Sequence, residues 1–158
     1  MEMRLDPRKA APEVYRAMLA LESAVQATGL ESHLLNLVKL RASQINGCAY
    51  CIDMHSKDLR AEGESEERLY LLEAWREAPF YSDRERAALA WTEAVTLIPA
   101  GHVPNDVYEE ARAHFTEDEL VKLTLAIVAI NGWNRFGIAF RAPPGHYQPA
   151  RQREAAMA

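Results

Sequence analysis

This chain of 158 residues lacks three patterns: the alternation of apolar and polar residues typical of strands, long apolar runs, and rows of lysine and arginine. No segment alternates apolar with polar residues, which excludes the half-buried strands of a typical antiparallel sheet. The longest apolar run, 123–130, is far too short to span a bilayer, and the first six residues lack the layout of a secretory signal. The net charge of −5, without a lysine and arginine stripe, argues against binding to nucleic acid. We therefore expect a cytoplasmic protein that contacts neither nucleic acid nor membrane.

Apolar residues recur at helical spacing along almost the whole chain, and turn residues divide them into about seven helices. An Asn-Gly pair and single glycines mark the ends of helices, and capping boxes at Ser82 and Thr116 mark the starts of two others. The expected helices cover residues 12–28, 31–44, 48–61, 65–75, 82–97, 105–114 and 116–140. The sequence thus predicts an all-α domain over residues 1–142 and an extended or disordered tail over residues 143–158.

Cysteine is rare, and the only two cysteines lie three positions apart, at Cys48 and Cys51. Chance would produce this spacing in about one chain of this size in fifty, so the spacing indicates function. With His55, the thiols fall at i, i+3 and i+7 of one helix, which places all three side chains on one face. The Asn-Gly stop before Cys48 puts this thiol in the first helical turn, where unpaired N–H groups and the helix dipole favour a thiolate.

Two thiols beside an imidazole support a two-step redox cycle. A thiolate can attack the O–O bond of a peroxide and become a sulfenic acid, which the second thiol converts to a disulfide. His55 can accept the thiol proton or, when protonated, stabilise the thiolate. This cycle requires neither a metal nor an organic cofactor.

Two other interpretations of the same residues remain open. Cys48, Cys51 and His55 are three plausible zinc ligands, although a closed structural site takes four and the chain has no second paired motif. Alternatively, the two thiols are buried structural residues beside an unrelated histidine.

The segment from Leu37 to His55, LVKLRASQINGCAYCIDMH, resembles the core of AhpD-like alkylhydroperoxidases in the carboxymuconolactone decarboxylase superfamily. The segment 129–138, AINGWNRFGI, is similar to the same group. The resemblance covers roughly residues 10–141 and implies a single AhpD-like helical domain, with the CxxC motif at the start of a helix that faces a pocket. It also implies a homo-oligomer, often a trimer or a hexamer.

The resemblance assigns a role to each residue of the motif. Cys51 corresponds to the cysteine that peroxide oxidises, Cys48 to the thiol that resolves the sulfenic acid, and His55 to a member of the proton relay. The helix-dipole argument, by contrast, favours Cys48 as the more acidic thiol. The family's relay glutamate, twelve residues before the first cysteine, is Asn36 here, and the histidine before the second cysteine is Tyr50. An amide accepts no proton at neutral pH and a phenol is a donor rather than a base, so the expected relay is weakened.

Few nearby acids can replace the missing glutamate. Glu31 lies more than a turn away from the required position, and neither Asp53 nor Asp58 lies at i+3 or i+4 of both cysteines. Glu93, or a carboxylate from another subunit, would need tertiary contact to reach the thiols.

The leading hypothesis is a thiol-dependent peroxidase that reduces hydrogen peroxide or organic hydroperoxides through a CxxC dithiol/disulfide cycle. An external dithiol would restore the pair, and the resemblance implies a lipoylated or thioredoxin-like partner. One alternative is a redox-responsive or structural oligomer without turnover. A decarboxylase-like enzyme is the other, and the CxxC pair counts against it because that branch generally lacks the pair.

Overall fold

Proline, glycine and capping residues set the helix boundaries in the computed structural model, which describes residues 2–149. Within this range the chain folds into nine α-helices. They are α1 (Pro7–Ala10), α2 (Pro12–Gln26), α3 (Ser32–Asn46), α4 (Ala49–Ala61), α5 (Glu66–Tyr70), α6 (Asp83–Thr96), α7 (Ile98–Gly101), α8 (Asn105–His114) and α9 (Glu117–Phe140), with a 3₁₀ turn at Leu72–Ala74 after α5.

The all-α class predicted from the sequence is confirmed. Six of the seven expected helices are present, and the expected helix 65–75 is shorter, because α5 ends at Tyr70 and a 3₁₀ turn follows it; the structure adds the four-residue helices α1 and α7. Both additions carry proline at the first or second helical position, where its fixed φ and missing N–H suit a helix start. Residues 143–149 of the expected tail contain no helix, and residues 150–158 lie outside the described residues.

Helix α3 lies at the centre of the domain and contacts α4, α6 and α9. Most of its side chains from Leu34 to Ser43 are buried, so the helix is enclosed on several sides rather than along one stripe. Helix α9 packs against α2, α3 and α6, and its Leu123 and Ile127 belong to the same core as Val38. A second core cluster joins α3 to α4 and the 3₁₀ turn through Leu37, Leu59 and Leu72.

Helix α9 is the one helix within residues 2–149 whose length and apolar composition would suffice to cross a bilayer. Leu123, Ala126, Ile127 and Ile130 on this helix are buried, as expected for a helix that packs against five others. Thr116 begins α9 with a capping box, in which its side chain accepts from the Glu119 N–H.

Ser82 begins α6 in the same way, accepting from the Glu85 N–H while the Glu85 carboxylate accepts from the Ser82 N–H. Both capping boxes that the sequence predicts are therefore present. A capping box satisfies two N–H groups that would otherwise have no partner in the first turn.

We expect Ser82→Ala to lower the free energy of unfolding by about 1 kcal/mol, because α6 would lose its N-cap acceptor. Ser23→Ala is the matched control, since Ser23 is exposed inside α2 and its hydroxyl donates only to the Leu19 carbonyl. Alanine suits that position at least as well as serine, so the control should be neutral. Urea unfolding, monitored by circular dichroism, measures the free energy of unfolding of both variants. Equal losses in Ser82→Ala and Ser23→Ala would show that the cap does not stabilise α6.

Candidate active site

The two cysteines lie at the turn between α3 and α4. Gly47 ends α3 in the left-handed region, with φ of 71°, and its N–H donates back to the Gln44 and Ser43 carbonyls. Cys48 follows as the N-cap residue of α4, and its own N–H donates to the Ser43 carbonyl at 3.0 Å. The Asn-Gly stop and the helix start therefore lie where the sequence predicts them.

The thiols of Cys48 and Cys51 share a hydrogen bond, with their sulfur atoms 2.7 Å apart. Both side chains are buried, at 1% and 2% exposure. Helix α9 approaches them at Gly137, where a Cβ atom would lie 2.9 Å from Cys48 Sγ and 3.8 Å from Cys51 Sγ. A residue without a side chain is thus required at this point of α9 for the sulfur pair to fit.

The shared hydrogen bond separates the acidities of the two thiols. It lowers the pKa of Cys48 to about 7 against the opposing effect of burial, and the N–H groups of Cys51 and Tyr50 in the first turn of α4 add to the lowering. The same bond, with burial, raises the pKa of Cys51. The pair therefore holds one thiolate near neutral pH, centred on Cys48, and one proton between the two sulfurs.

His55 is buried one turn after Cys51, at 5% exposure. Burial lowers its pKa to about 3, and the positive charge of Lys39 adds to this, so the ring is neutral at pH 7. Neither ring nitrogen has a hydrogen-bond partner among the described residues. His55 hence does not bond directly to either thiol, and as a neutral ring it can only donate or accept a hydrogen bond.

Cys51 and His55 line a cavity of about 710 Å³ between α2, α4 and α9, whereas Cys48 lies behind Cys51 and is not part of the lining. One wall is apolar and mostly aromatic; it is formed by Tyr15, Leu19, Met54, Trp133, Phe136 and Phe140. Aromatic rings contact one another edge to face along this wall, with centroids 5.4 to 6.3 Å apart.

The cavity lining also includes an ion pair that the sequence analysis missed. Lys39 on α3 is 1% exposed, and its Nζ donates to Glu22 Oε1 on α2. Both residues line the cavity, and both influence the pKa of His55 through their charges. A lysine inside the continuous apolar stretch of α3 was a signal that could have indicated a buried cation.

The two residues expected to weaken the relay also line the cavity. Asn36 Nδ2 donates to Glu62 Oε1 at 3.0 Å, so its amide is engaged at the edge of the cavity rather than with a thiol. Burial raises the pKa of Tyr50, which keeps its phenol protonated.

Of the acids considered from the sequence, Asp58 is the one that lines the cavity. Its Oδ2 lies 4.0 Å from His55 Nδ1, and its Oδ1 accepts from the Tyr147 hydroxyl at 2.7 Å. Glu93 is bound elsewhere, by the side chains of Arg41, Trp75 and Arg76.

Segments from both ends of the chain cover the cavity, residues 3–8 and 142–148. The N–H of Arg4 donates to the last backbone carbonyl of α9 at 3.0 Å. The N–H of Gly145 donates to Asp53 Oδ2 on α4 at 2.9 Å, which ties the second segment to the cysteine helix.

The zinc interpretation requires several ligand side chains close together. Within residues 2–149, no group of three or more histidine, cysteine, aspartate or glutamate side chains could hold a metal ion.

We expect Gly137→Ala to slow disulfide formation about tenfold or more, because its Cβ would displace Cys48 Sγ, and small misplacements of reacting atoms have large effects on rate. The control is Gly132→Ala on the same helix, where the new Cβ would meet the flexible end of Met18 at 3.0 Å. That variant should gain up to about 1 kcal/mol of stability from helix propensity and leave the thiols unaffected. Thiol loss after diamide addition measures the rate; native-like oxidation of Gly137→Ala would contradict the close approach.

The thiolate should appear with a midpoint near pH 7 and disappear as the pH falls below it, because the pKa of Cys48 lies below that of an ordinary thiol. Cys51→Ala removes the hydrogen bond that contributes most to this shift, so the midpoint should rise by about one to two pH units. Cys51→Ser retains a donor and should shift less. Thiolate absorbance at 240 nm measures each titration, and an unchanged midpoint in Cys51→Ala would show that the bond does not control the acidity of Cys48.

Comparison with known proteins agrees with this architecture. A profile of the carboxymuconolactone decarboxylase family matches residues 12–94, just over half of the chain. The uncharacterized protein YdfG of Bacillus subtilis is 44% identical over 139 residues, which cover 88% of this chain and 95% of that protein.

Two solved structures share the fold. A crystal structure from Agrobacterium tumefaciens, of a protein of unknown function described as a putative antioxidant defence protein AhpD, gives a TM-score of 0.90 at 48% identity over 92% of this chain and 100% of that one. The debrominase Bmp8 gives 0.78 at 21% identity over 87% of this chain and 74% of its own, a likeness of fold alone. With a family profile across more than half of its length and a relative at 44% identity along most of it, the chain belongs to the carboxymuconolactone decarboxylase family, as an AhpD-like member.

Proposed function

We propose that the protein is a thiol-dependent peroxidase in which Cys51 is oxidised and Cys48 resolves the product. The observation that supports this most strongly is the position of the two sulfurs, with Cys51 facing the cavity and Cys48 2.7 Å away behind it. A peroxide in the cavity meets Cys51 first, and the second thiol is already within reach of the oxidised sulfur.

The reaction takes place in two balanced steps. The proton shared by the pair moves to Cys48, and the Cys51 thiolate attacks the terminal peroxide oxygen; the S–O bond forms, the O–O bond breaks, and the departing alkoxide takes up one further proton and leaves as the alcohol. Cys48 then attacks Cys51 Sγ, so that the disulfide forms and the hydroxyl leaves as water. Overall, two thiols and one hydroperoxide become one disulfide, one alcohol and one water molecule.

Organic hydroperoxides fit this cavity better than hydrogen peroxide does. A volume of about 710 Å³ lies within the range of pockets that hold drug-sized ligands. Trp133, Phe136 and Phe140 offer an apolar aromatic wall that hydrogen peroxide cannot use, whereas the organic part of a larger hydroperoxide would lose water against it.

The burial of both thiols limits which reductants can reach them. A slender dithiol such as a lipoyl arm can reach Cys51 through the cavity, whereas a thioredoxin-like protein would have to approach a sulfur that is 2% exposed. Turnover also needs a compartment that keeps thiols reduced, such as the cytoplasm. Val121 and Val128 leave apolar surface on the outer side of α9, which is consistent with a trimer or hexamer.

A second candidate reaction is reductive dehalogenation of an aromatic ring, which the aromatic wall beside Cys51 favours. Bmp8 is a debrominase, and one of its variants is known in complex with 2,3,4-tribromopyrrole. Two thiols would become a disulfide while a carbon–bromine bond becomes a carbon–hydrogen bond and hydrogen bromide leaves. Release of bromide from that compound under the same conditions separates this reaction from peroxide reduction.

The test is consumption of cumene hydroperoxide with excess dihydrolipoamide by the native chain, Cys51→Ser and Cys48→Ser. We expect Cys51→Ser to reduce turnover to background, because the attacking sulfur is absent. Cys48→Ser should oxidise once to a sulfenic acid and lose at least about 10²-fold in turnover, since no intramolecular thiol resolves it.

Ser56→Ala on the same helix is the control and should retain native turnover. If the native chain consumes no peroxide but forms a reversible disulfide that changes its oligomer size, the redox-responsive oligomer replaces the peroxidase as the function. If Cys48→Ser and Cys51→Ser exchange phenotypes, Cys48 is the sulfur that peroxide oxidises.

A further inference from the structure

We propose that Lys39 is the general acid that protonates the leaving oxygen of the hydroperoxide, and that Glu22 positions it. This inference rests on the proposed function and identifies the group that supplies the proton. It assigns a role in proton transfer to the ion pair between α2 and α3.

Lys39 is the largest fully buried side chain in the described part of the chain. A buried ammonium group is costly unless it is paired, and Glu22 supplies the pairing carboxylate. An apolar residue would fill this position of α3 at lower cost, since its neighbours Leu37, Val38 and Leu40 are apolar and buried. A cation at this position therefore calls for a role beyond packing, and Lys39 lines the same cavity as Cys51.

The chemistry at Cys51 requires such a donor. When the O–O bond breaks, the electron pair leaves on the alkoxide oxygen, which is strongly basic and must gain a proton. An ammonium N–H of Lys39 delivers that proton to the oxygen, and its positive charge stabilises the negative charge that develops there. The resulting amine regains a proton from water through Glu22, whose side chain is 27% exposed and thus reaches solvent.

Other groups around the cavity are less suited to this step. His55 is neutral because burial lowers its pKa to about 3, and Asp58 Oδ1 is an acceptor, bound by the Tyr147 hydroxyl. The Arg8 guanidinium is held by Asp6 through two hydrogen bonds. Tyr50 retains its proton, which makes it the competing donor that the experiment has to address.

The test compares two oxidants whose leaving groups differ in their need for a proton. Cumene hydroperoxide releases an alkoxide that needs a proton, whereas peracetic acid releases acetate, which does not. Single-turnover oxidation of reduced protein is measured with each oxidant by rapid quenching with an alkylating agent and mass spectrometry. We expect Lys39→Met to slow the cumene hydroperoxide reaction about 10²-fold or more, with a change under about threefold for peracetic acid.

Three further variants complete the design. Lys122→Met removes an exposed lysine of α9 that pairs with Asp118, and should change neither rate. Glu22→Gln should reproduce the selective loss more weakly, as expected for a positioning residue. The double variant Glu22→Gln/Lys39→Met leaves no unpaired charge and should show the full selective loss even if Lys39→Met alone folds poorly.

Several outcomes would overturn the inference. Equal losses with both oxidants would indicate a structural role for Lys39, and native rates in the folded variant would exclude any role in the reaction. A selective loss in Tyr50→Phe but not in Lys39→Met would assign the proton to the phenol. If the native chain reacts with neither oxidant, the proposed function itself is wrong and this inference falls with it.

Discussion

Helix α3 contacts α4, α6 and α9, and this enclosure determines what its polar side chains can do. Lys39 is buried, at 1% exposure, so its charge has to be met by the carboxylate of Glu22. The same enclosure brings the end of α3 against α9 at the point where Cys48 begins α4. Both the sulfur pair and the ion pair thus owe their positions to the packing of one central helix.

Local geometry and long-range packing together determine the surroundings of the two thiols. The turn at Gly47 places Cys48 at the start of α4, where backbone N–H groups help to lower its pKa. The close approach of Gly137 from α9 then confines both sulfurs. Cys48, the more acidic thiol, therefore lies behind Cys51, and Cys51, the less acidic thiol, faces the cavity. The acidity of Cys48 agrees with the helix-dipole argument, and the proposed role of Cys51 as the attacking sulfur rests instead on its position facing the cavity.

The sequence predicts those features that depend on neighbours along the chain. Helical spacing and capping boxes gave the all-α class, and the Asn-Gly stop placed Cys48 at the start of a helix. Features that join distant segments were missed, because no local pattern indicates that Glu22 on α2 meets Lys39 on α3. Asp58 is a second example. Its spacing along the chain does not predict a position beside both cysteines, yet it lines the cavity beside His55.

The cover of the cavity is built from the two ends of the chain, whereas its reactive side is built from helices in the core. Segments outside the packed helices tolerate changes in sequence that a core does not, because fewer contacts depend on them. The shape of the cavity can therefore change through residues 3–8 and 142–148 while the packing around the sulfur pair stays fixed.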